Sequence, residues 1–333
     1  MQRKTAIIIL LAVMLFLTGT AYAQLPEVMI VNSYHAEYPW VAAHNQGLQD
    51  NLKGRAELSV YYLDSKKLSL EEAQKNAQEV LSIIKNDKPS LVIMTDDFAL
   101  QELGLSTMNE GIPVVFLGIN NNPRQYLGSM TLATGVLERP LLKRSIAYIQ
   151  EILKSRMNKC LVLFDNGVTA QVTLKTVFSG KKRNKFSKTT TDIELMDTFA
   201  NWKKTVLTAK DQGYEAIILG LYHTLVDENG NHVSDELVAN WTSTHSPVPV
   251  FGFWDFSIGK NKALGGLVLS GYPQGEAAAR LANKILRGRE PNTIQPVTAE
   301  HGRFVFSISG LKRWNITLPS YFKAPNEPIT FVD

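Results

Sequence analysis

Short apolar runs, each closed by polar residues and followed by a segment of helical period, alternate along almost the whole chain. Val28–Val31 leads into Asn32, Ser33, Tyr34 and His35, and a helix then opens at Pro39–Trp40 with Val41, Leu48 and Leu52 on one face. Leu58–Leu63 is the next strand. Ser69 and Glu72 form a capping box, hydroxyl and carboxylate each satisfying a free backbone N–H, ahead of a helix striped by Ala73, Ala77, Val80 and Ile84. Leu91–Met94 ends at Thr95, Asp96 and Asp97, and Ile112–Leu117 ends at Gly118 to Asn122. The second half repeats the scheme with strands at Leu161–Phe164, Ala216–Leu219, Val248–Phe253 and Phe304–Ile308. Its helices are marked by Leu142 to Leu153, by Phe199 to Ala209, and by Ala278, Leu281 and Ile285 before Gly288 and Pro291. Strands that are apolar throughout, rather than alternating, are buried on both faces, which is the property of parallel sheets covered by helices. Two such runs in a 333-residue chain predict an α/β protein of two doubly wound parallel-sheet lobes with a ligand cleft between them.

The N-terminus reads as a leader. Arg3 and Lys4 precede the apolar run Ala6 to Leu17, and Ala21–Tyr22–Ala23 has the small-x-small form of a signal-peptidase site. The run is too short to span a bilayer, which takes roughly 20 residues. Residues 1–23 are therefore expected to be a cleaved signal peptide, and the mature protein to be a soluble monomer in the periplasm. The chain carries 35 Lys and Arg against 31 Asp and Glu, two of the former within the leader. Such a balance predicts no affinity for nucleic acid. The single cysteine, Cys160, has no internal disulfide partner and falls in an apolar strand, where it reads as core.

In open parallel sheets, ligands bind beyond the carboxyl ends of the strands. The unusual polar and aromatic residues of this chain fall there. Ser33, Tyr34 and Trp40 follow the first strand; Asp96 and Asp97 follow another; Asn120 and Asn121 a third. Asp165 and Thr169, Tyr222 and His223, and Trp254 and Asp255 follow strands of the second half. Each also has a plainer reading. One of Thr95, Asp96 and Asp97 is needed as a helix N-cap, Asn120–Asn122 before Pro123 makes a turn, and Trp40 and Trp254 can be core. The basic run Lys181, Lys182, Arg183, Lys185 and Lys188 reads as a solvated connection between helix and strand, without the interleaved aromatics of a nucleic-acid surface.

Signatures of catalysis are missing. There is no Gly-x-Ser-x-Gly elbow, His-Glu-x-x-His, phosphate loop or Gly-x-Gly-x-x-Gly fingerprint. The six histidines show no metal-ligand spacing. No catalytic residue, metal or cofactor is expected, and an exported hydrolase is the weakest of the functional readings.

Val31–His35 with Tyr38–Pro39–Trp40, Thr95–Leu100, Pro113–Asn121, Pro249–Asp255, Gly265–Gly266, Gln274–Ala278 and Leu311–Pro319 together resemble the ABC-transporter substrate-binding protein family of the tryptophan/tyrosine-transport type. The resemblance implies the periplasmic binding protein type I fold, two lobes joined by three crossings. These are expected near residues 118–140, 255–275 and 296–304. The N-terminal lobe is then 24–135 with 272–297, the C-terminal lobe 136–271 with 298–320, and 321–333 an irregular tail. The resemblance also implies a small-molecule ligand and an ABC permease as partner. In that setting Asp97 and Asp255 would take a ligand ammonium or hydroxyls. Ser33, Asn120 and helix N-termini would take a carboxylate, and Tyr34, Trp40, Tyr222 and Trp254 would enclose the apolar part. The stretch Asp227–Gly230 is closer to relatives fused to membrane sensor kinases and cyclases, which keeps open a second output, activation of a membrane receptor.

Overall fold

The computed structural model describes residues 24–139, 141–154, 157–186, 188–298, 302–320 and 329–333. The expected leader lies outside them. In chain order the elements are β1 (Glu27–Asn32), α1 (Pro39–Leu52), β2 (Glu57–Tyr62), α2 (Leu70–Asp87), β3 (Leu91–Thr95), α3 (Asp96–Asn109), β4 (Val114–Ile119), α4 (Arg124–Leu127), β5 (Ala133–Leu137) and α5 (Leu142–Ile152). There follow β6 (Lys159–Asp165), α6 (Val168–Val177), β7 (Arg183–Phe186), β8 (Thr189–Met196), α7 (Phe199–Thr208), β9 (Ala216–Leu219), α8 (Asp235–His245), β10 (Val250–Gly252) and β11 (Gly265–Val268). The last are α9 (Gly271–Leu286), β12 (Val297–Thr298), β13 (Arg303–Ser307), α10 (Ile308–Arg313) and β14 (Ile329–Val332).

A six-stranded sheet runs β12-β5-β4-β3-β1-β2, every pair parallel. A five-stranded sheet runs β10-β9-β6-β8-β7, parallel except for the β7–β8 edge. In each, strand order reverses beside one strand. β1 lies between β2 and β3, and β6 lies between β8 and β9. Connections diverge to opposite faces at such a point and leave a crevice beyond the strand ends. The crevice of the first sheet is therefore made by residues after β1 and β3, and that of the second by residues after β6 and β9.

The continuous apolar strands do bury both faces. Val28 and Ile30 pack on α1 and α9 residues, while Met29 and Val31 pack in the cluster that includes Ala77, Leu81 and Leu100. The capping box at Ser69 and Glu72 forms at the start of α2. Helix α9, late in sequence, packs against α1 of the first lobe. A Cβ on Gly275 would lie 2.2 Å from the His44 carbonyl oxygen, and one on Gly47 2.4 Å from that of Tyr272. Only glycines let these two helices approach so closely. The chain thus leaves the first sheet after β5, returns at α9, and leaves again between β12 and β13.

Two expectations require correction. The tail is not irregular throughout, for β14 pairs in parallel with β13 in a third sheet, β11-β13-β14. The Asp333 carboxylate accepts from Ser307, Ser309 and the Ile308 N–H, tying the strand to the start of α10. The basic run is not a bare connection either. Arg183 opens edge strand β7 and grips Asp192 with two N–H groups at 2.6 and 2.9 Å. Hydrophobic patterning could not show this, because β7 carries one apolar residue in four. Cys160 is a buried core residue whose thiol is pushed up to about 12 by burial.

Candidate functional site

The two crevices face one another. Tyr34 after β1 meets Thr169 of α6 across the gap, their hydroxyl oxygens 3.4 Å apart. Between the lobes lies a cavity of about 390 Å³. Tyr34, Lys66, Asp97 and Phe98 wall it from the first lobe, and Asp165, Val168, Thr169, Leu221 and Thr224 from the second. Behind it is a chamber of about 10 Å³, room for little more than one water molecule. Tyr38, Trp40, Asp96, Glu138, Trp254 and Phe256 enclose this chamber, and Tyr34, Lys66, Thr169 and Leu221 border both spaces.

Asp96 is the most constrained residue of the chamber. Its backbone is left-handed, φ 62°, a conformation that an aspartate tolerates better than most residues but still at some cost. One carboxylate oxygen accepts the Trp40 indole N–H at 3.3 Å. The other, Oδ2, is buried without a hydrogen-bond partner. Gly118 makes room for the Trp40-bonded oxygen, since a Cβ there would lie 3.0 Å from Asp96 Oδ1. Burial, then the nearby Glu138, hold the Asp96 carboxyl well above the usual carboxylate range.

Glu138 follows β5 on the first crossing between lobes. It accepts from Trp254 Nε1 at 2.8 Å and from Asn120 Nδ2 at 3.0 Å. Burial pushes its carboxyl up to about 7 despite these donors. Two carboxylates in one apolar chamber resist simultaneous ionisation unless a cation joins them. Lys66, in the loop after β2, supplies the neighbouring positive charge. Its ammonium lies 4.1 and 4.2 Å from the ring centroids of Tyr34 and Tyr38. It donates to the Tyr38 hydroxyl at 3.0 Å.

The structure sorts the sequence candidates into those that line the inner chamber and those whose groups are committed to local contacts elsewhere. Tyr34, Trp40, Asp96, Thr169 and Trp254 line the chamber. Trp40 and Trp254 are at once wall and core, 3% and 1% exposed. Asp97 borders the cavity, but its carboxylate already accepts the backbone N–H groups of Asn120 and Asn121 and the Tyr126 hydroxyl. Asp165 likewise accepts from the N–H groups of Gly167, His223 and Thr224. Ser33 donates to the Thr95 carbonyl and accepts from the Ala99 N–H. Thus no side chain of Thr95, Asp96 or Asp97 caps α3; Ser33, just after β1, accepts the Ala99 N–H from across the sheet.

Asn120 braces Glu138, and Asn121 holds Tyr126 in the turn that its sequence suggested. Tyr222 points into the second lobe, its ring near Trp202 and its hydroxyl near Ser257. The His223 ring stacks on Tyr222 and meets Tyr38 edge-on, and its pKa is driven well down by burial. Asp255 turns outward to Arg303, 2.7 Å away. Lys66, Tyr38, Glu138 and Phe256 were not among the candidates. Glu138 ends a short strand, Ala133–Leu137, that contains a glycine and escaped notice; the strand-end rule would have found it.

Among the described residues no cluster of three His, Cys, Asp or Glu side chains is placed to hold a metal. No described helix is long and apolar enough to cross a membrane.

Two facing open sheets that enclose a cavity at their strand ends define the periplasmic binding protein type I fold. Residues 33–325 match the family model of ABC transporter substrate binding proteins, and the chain belongs to that family. The fold is similar to the L-Trp complex of an ABC domain from Streptococcus pneumonia, at 15% identity and TM-score 0.65, covering 92% of this chain and all of that one. It is similar also to the ligand-free, open form of a substrate-binding protein with adhesive properties from Clostridium difficile, at 14% identity and TM-score 0.65, covering 93% and 99%. A carbohydrate transporter from Acidothermus cellulolyticus in complex with myo-inositol is more distant, at 11% identity and TM-score 0.56, covering 87% and 97%. A comparison with curated proteins finds no match.

Proposed function

We propose that this is an exported solute-binding protein that closes on a small amphipathic molecule, an amino acid or a chemically similar solute, and delivers it to an ABC importer. The observation that carries the reading is the interlobe chamber. Trp40 from one lobe and Trp254 from the other wall it, and Asp96, whose Oδ2 is buried without a hydrogen-bond partner, lines the same space. Indole rings on two sides strip water from an apolar ligand portion, a gain of very roughly 1.5–3 kcal/mol for a buried aromatic group. A charge in so dry a place must be paired. Asp96 with Glu138, rather than Asp97 or Asp255, is the acidic pair offered to a ligand. The L-Trp complex of the pneumococcal structure supports an aromatic amino acid as the first solute to try.

In this reading residues 1–23 direct export to the periplasm and are removed, and the protein works there as a monomer. The lobes 24–135 with 272–297 and 136–271 with 298–320 move as bodies about the crossings. Native mass spectrometry of the exported protein, purified without added ligand, tests the reading together with titration of tryptophan fluorescence. A bound mass and a fluorescence change with L-tryptophan, L-tyrosine or a related amine are expected. A bare mass and no response to any amino acid or amine would overturn it.

A further inference from the structure

We propose that the inner chamber is an alkylammonium site which Lys66 fills when no solute is bound, so that an incoming ligand must carry its own ammonium and displace that of Lys66. The inference rests on the solute-binding reading above and specifies the group its ligand must bear. Three observations carry it. First, the chain's own primary ammonium sits against the faces of Tyr34 and Tyr38 and donates to the Tyr38 hydroxyl. Aromatic faces attract cations, and do so more strongly when water is excluded. The rings that would receive a ligand cation are thus already engaged.

Second, an acceptor is left over. Asp96 is 3% exposed, and its Oδ2 has no hydrogen-bond partner, a condition that normally costs a buried polar group dearly. Glu138 lies in the same chamber, with its two oxygens turned to Trp254 and Asn120. The other cation nearby, Arg139, is directed at the carbonyl oxygens of Ile119, Asn120 and Glu138. Lys66 is therefore the basic side chain that borders the chamber itself.

Third, Lys66 borders both spaces. Its loop is fixed at the base, where Ser65 bonds to the Ser33 carbonyl through both its N–H and its hydroxyl. The anchor fixes the backbone beside Lys66 and leaves the motion proposed here to its long side chain. With Lys66 inside, the chamber has about 10 Å³ left. Withdrawal of the side chain into the neighbouring cavity would release the space that a ligand amine needs, with no movement of either sheet.

The test separates chamber from ligand. In Lys66→Ala, n-butylammonium at millimolar concentration should raise the melting temperature by several degrees. Neither n-butanol nor butyrate should do so, and the wild-type protein should respond to none of them. Tryptamine should bind Lys66→Met at least tenfold more tightly than wild type, and indole-3-propionate should bind neither. If n-butylammonium does no more for Lys66→Ala than n-butanol does, the chamber is not an alkylammonium site. If Lys66→Met weakens L-tryptophan and leaves tryptamine unchanged, Lys66 holds a ligand anion and the proposal is overturned. Rescue by n-butylammonium without binding of any indole compound to wild type would leave the chamber's chemistry standing and remove the solute reading instead.

Discussion

The indole N–H of Trp254, in the second lobe, donates to Glu138 Oε1 at 2.8 Å. Glu138 in turn accepts from Asn120 of the first lobe, so one carboxylate on the first crossing is bonded to both bodies. A mirror relation exists in the first lobe, where Trp40 donates to Asp96. Each indole therefore has two tasks, to wall the chamber and to orient an acid.

Trp40→Ala and Trp254→Ala should accordingly fail in two ways at once. Removal of a ring this buried costs about 3–5 kcal/mol of stability, and loss of a ligand-facing wall should weaken L-tryptophan binding by about tenfold or more. Urea unfolding and fluorescence titration of each variant measure the two effects. Trp254→Phe, which keeps most of the wall and removes the N–H, should recover much of the stability while leaving Glu138 with one donor fewer. A variant that loses stability but binds normally would place the ring in the core alone.

Stability should fall as the pH rises from about 4.5 to about 7 and change little beyond. The Glu138 carboxyl is held at about 7 in the folded protein, against 4.5 for a free side chain. The folded state binds the extra proton between those values. The stabilisation is therefore complete below about pH 4.5 and is lost as pH rises through about 7, on the order of 3 kcal/mol. Asp96, also raised, acts in the same sense. Thermal melts of the ligand-free protein from pH 5 to 8.5 measure it, and Glu138→Gln should flatten the profile.

Binding of an amine should run the other way. In Lys66→Met, where no resident ammonium occupies the chamber, an amine brings in a cation that favours ionised Glu138, so uptake expels a proton. Affinity for tryptamine should then rise by up to about tenfold per pH unit below 7. Calorimetry in two buffers of different ionisation enthalpy should detect the released proton.

The two adjacent aspartates should separate cleanly. Asp96→Asn keeps the shape of the chamber and removes its charge, and should weaken amine binding by about tenfold or more with little loss of stability, since burial already disfavours the ionised form. Asp97→Ala removes the acceptor of three hydrogen bonds in the 120–126 turn and should cost about 2–4 kcal/mol. Asp255→Ala, which breaks only a partly exposed pair with Arg303, should change stability by less than about 1 kcal/mol and leave binding unaltered. Parallel unfolding and binding curves for the three variants decide this.

The architecture was legible because parallel strands buried on both faces leave an unbroken apolar signature, as at Leu91–Met94 and Leu161–Phe164. Positions after those strands were legible for the same reason, and so Tyr34, Trp40, Asp96, Thr169 and Trp254 could be singled out. The direction of a side chain was not. Asp97 and Asp165 look like ligand acids in a linear reading, yet their oxygens close loops against backbone N–H groups. Lys66 was hidden in Asp64–Ser65–Lys66–Lys67, which reads as a solvated turn. Only the meeting of that turn with Tyr34 and Tyr38 takes its ammonium out of water. The tail strand β14 was obscured because it is four residues long and partly exposed, too short to leave a buried apolar signature.

The position of Glu138 has a mechanical consequence. It sits on a crossing, and if the two bodies turn about that crossing, the Tyr34–Thr169 contact of 3.4 Å, made between residues that are not on it, would part before the bonds of Glu138 do. A rotation displaces atoms in proportion to their distance from the fulcrum. A few degrees of opening therefore part the rim and barely stretch the bond to Trp254. The chamber acids would keep their orientation while the mouth stands open, and an arriving solute would find them already set, with the Lys66 side chain left to displace before the lobes shut.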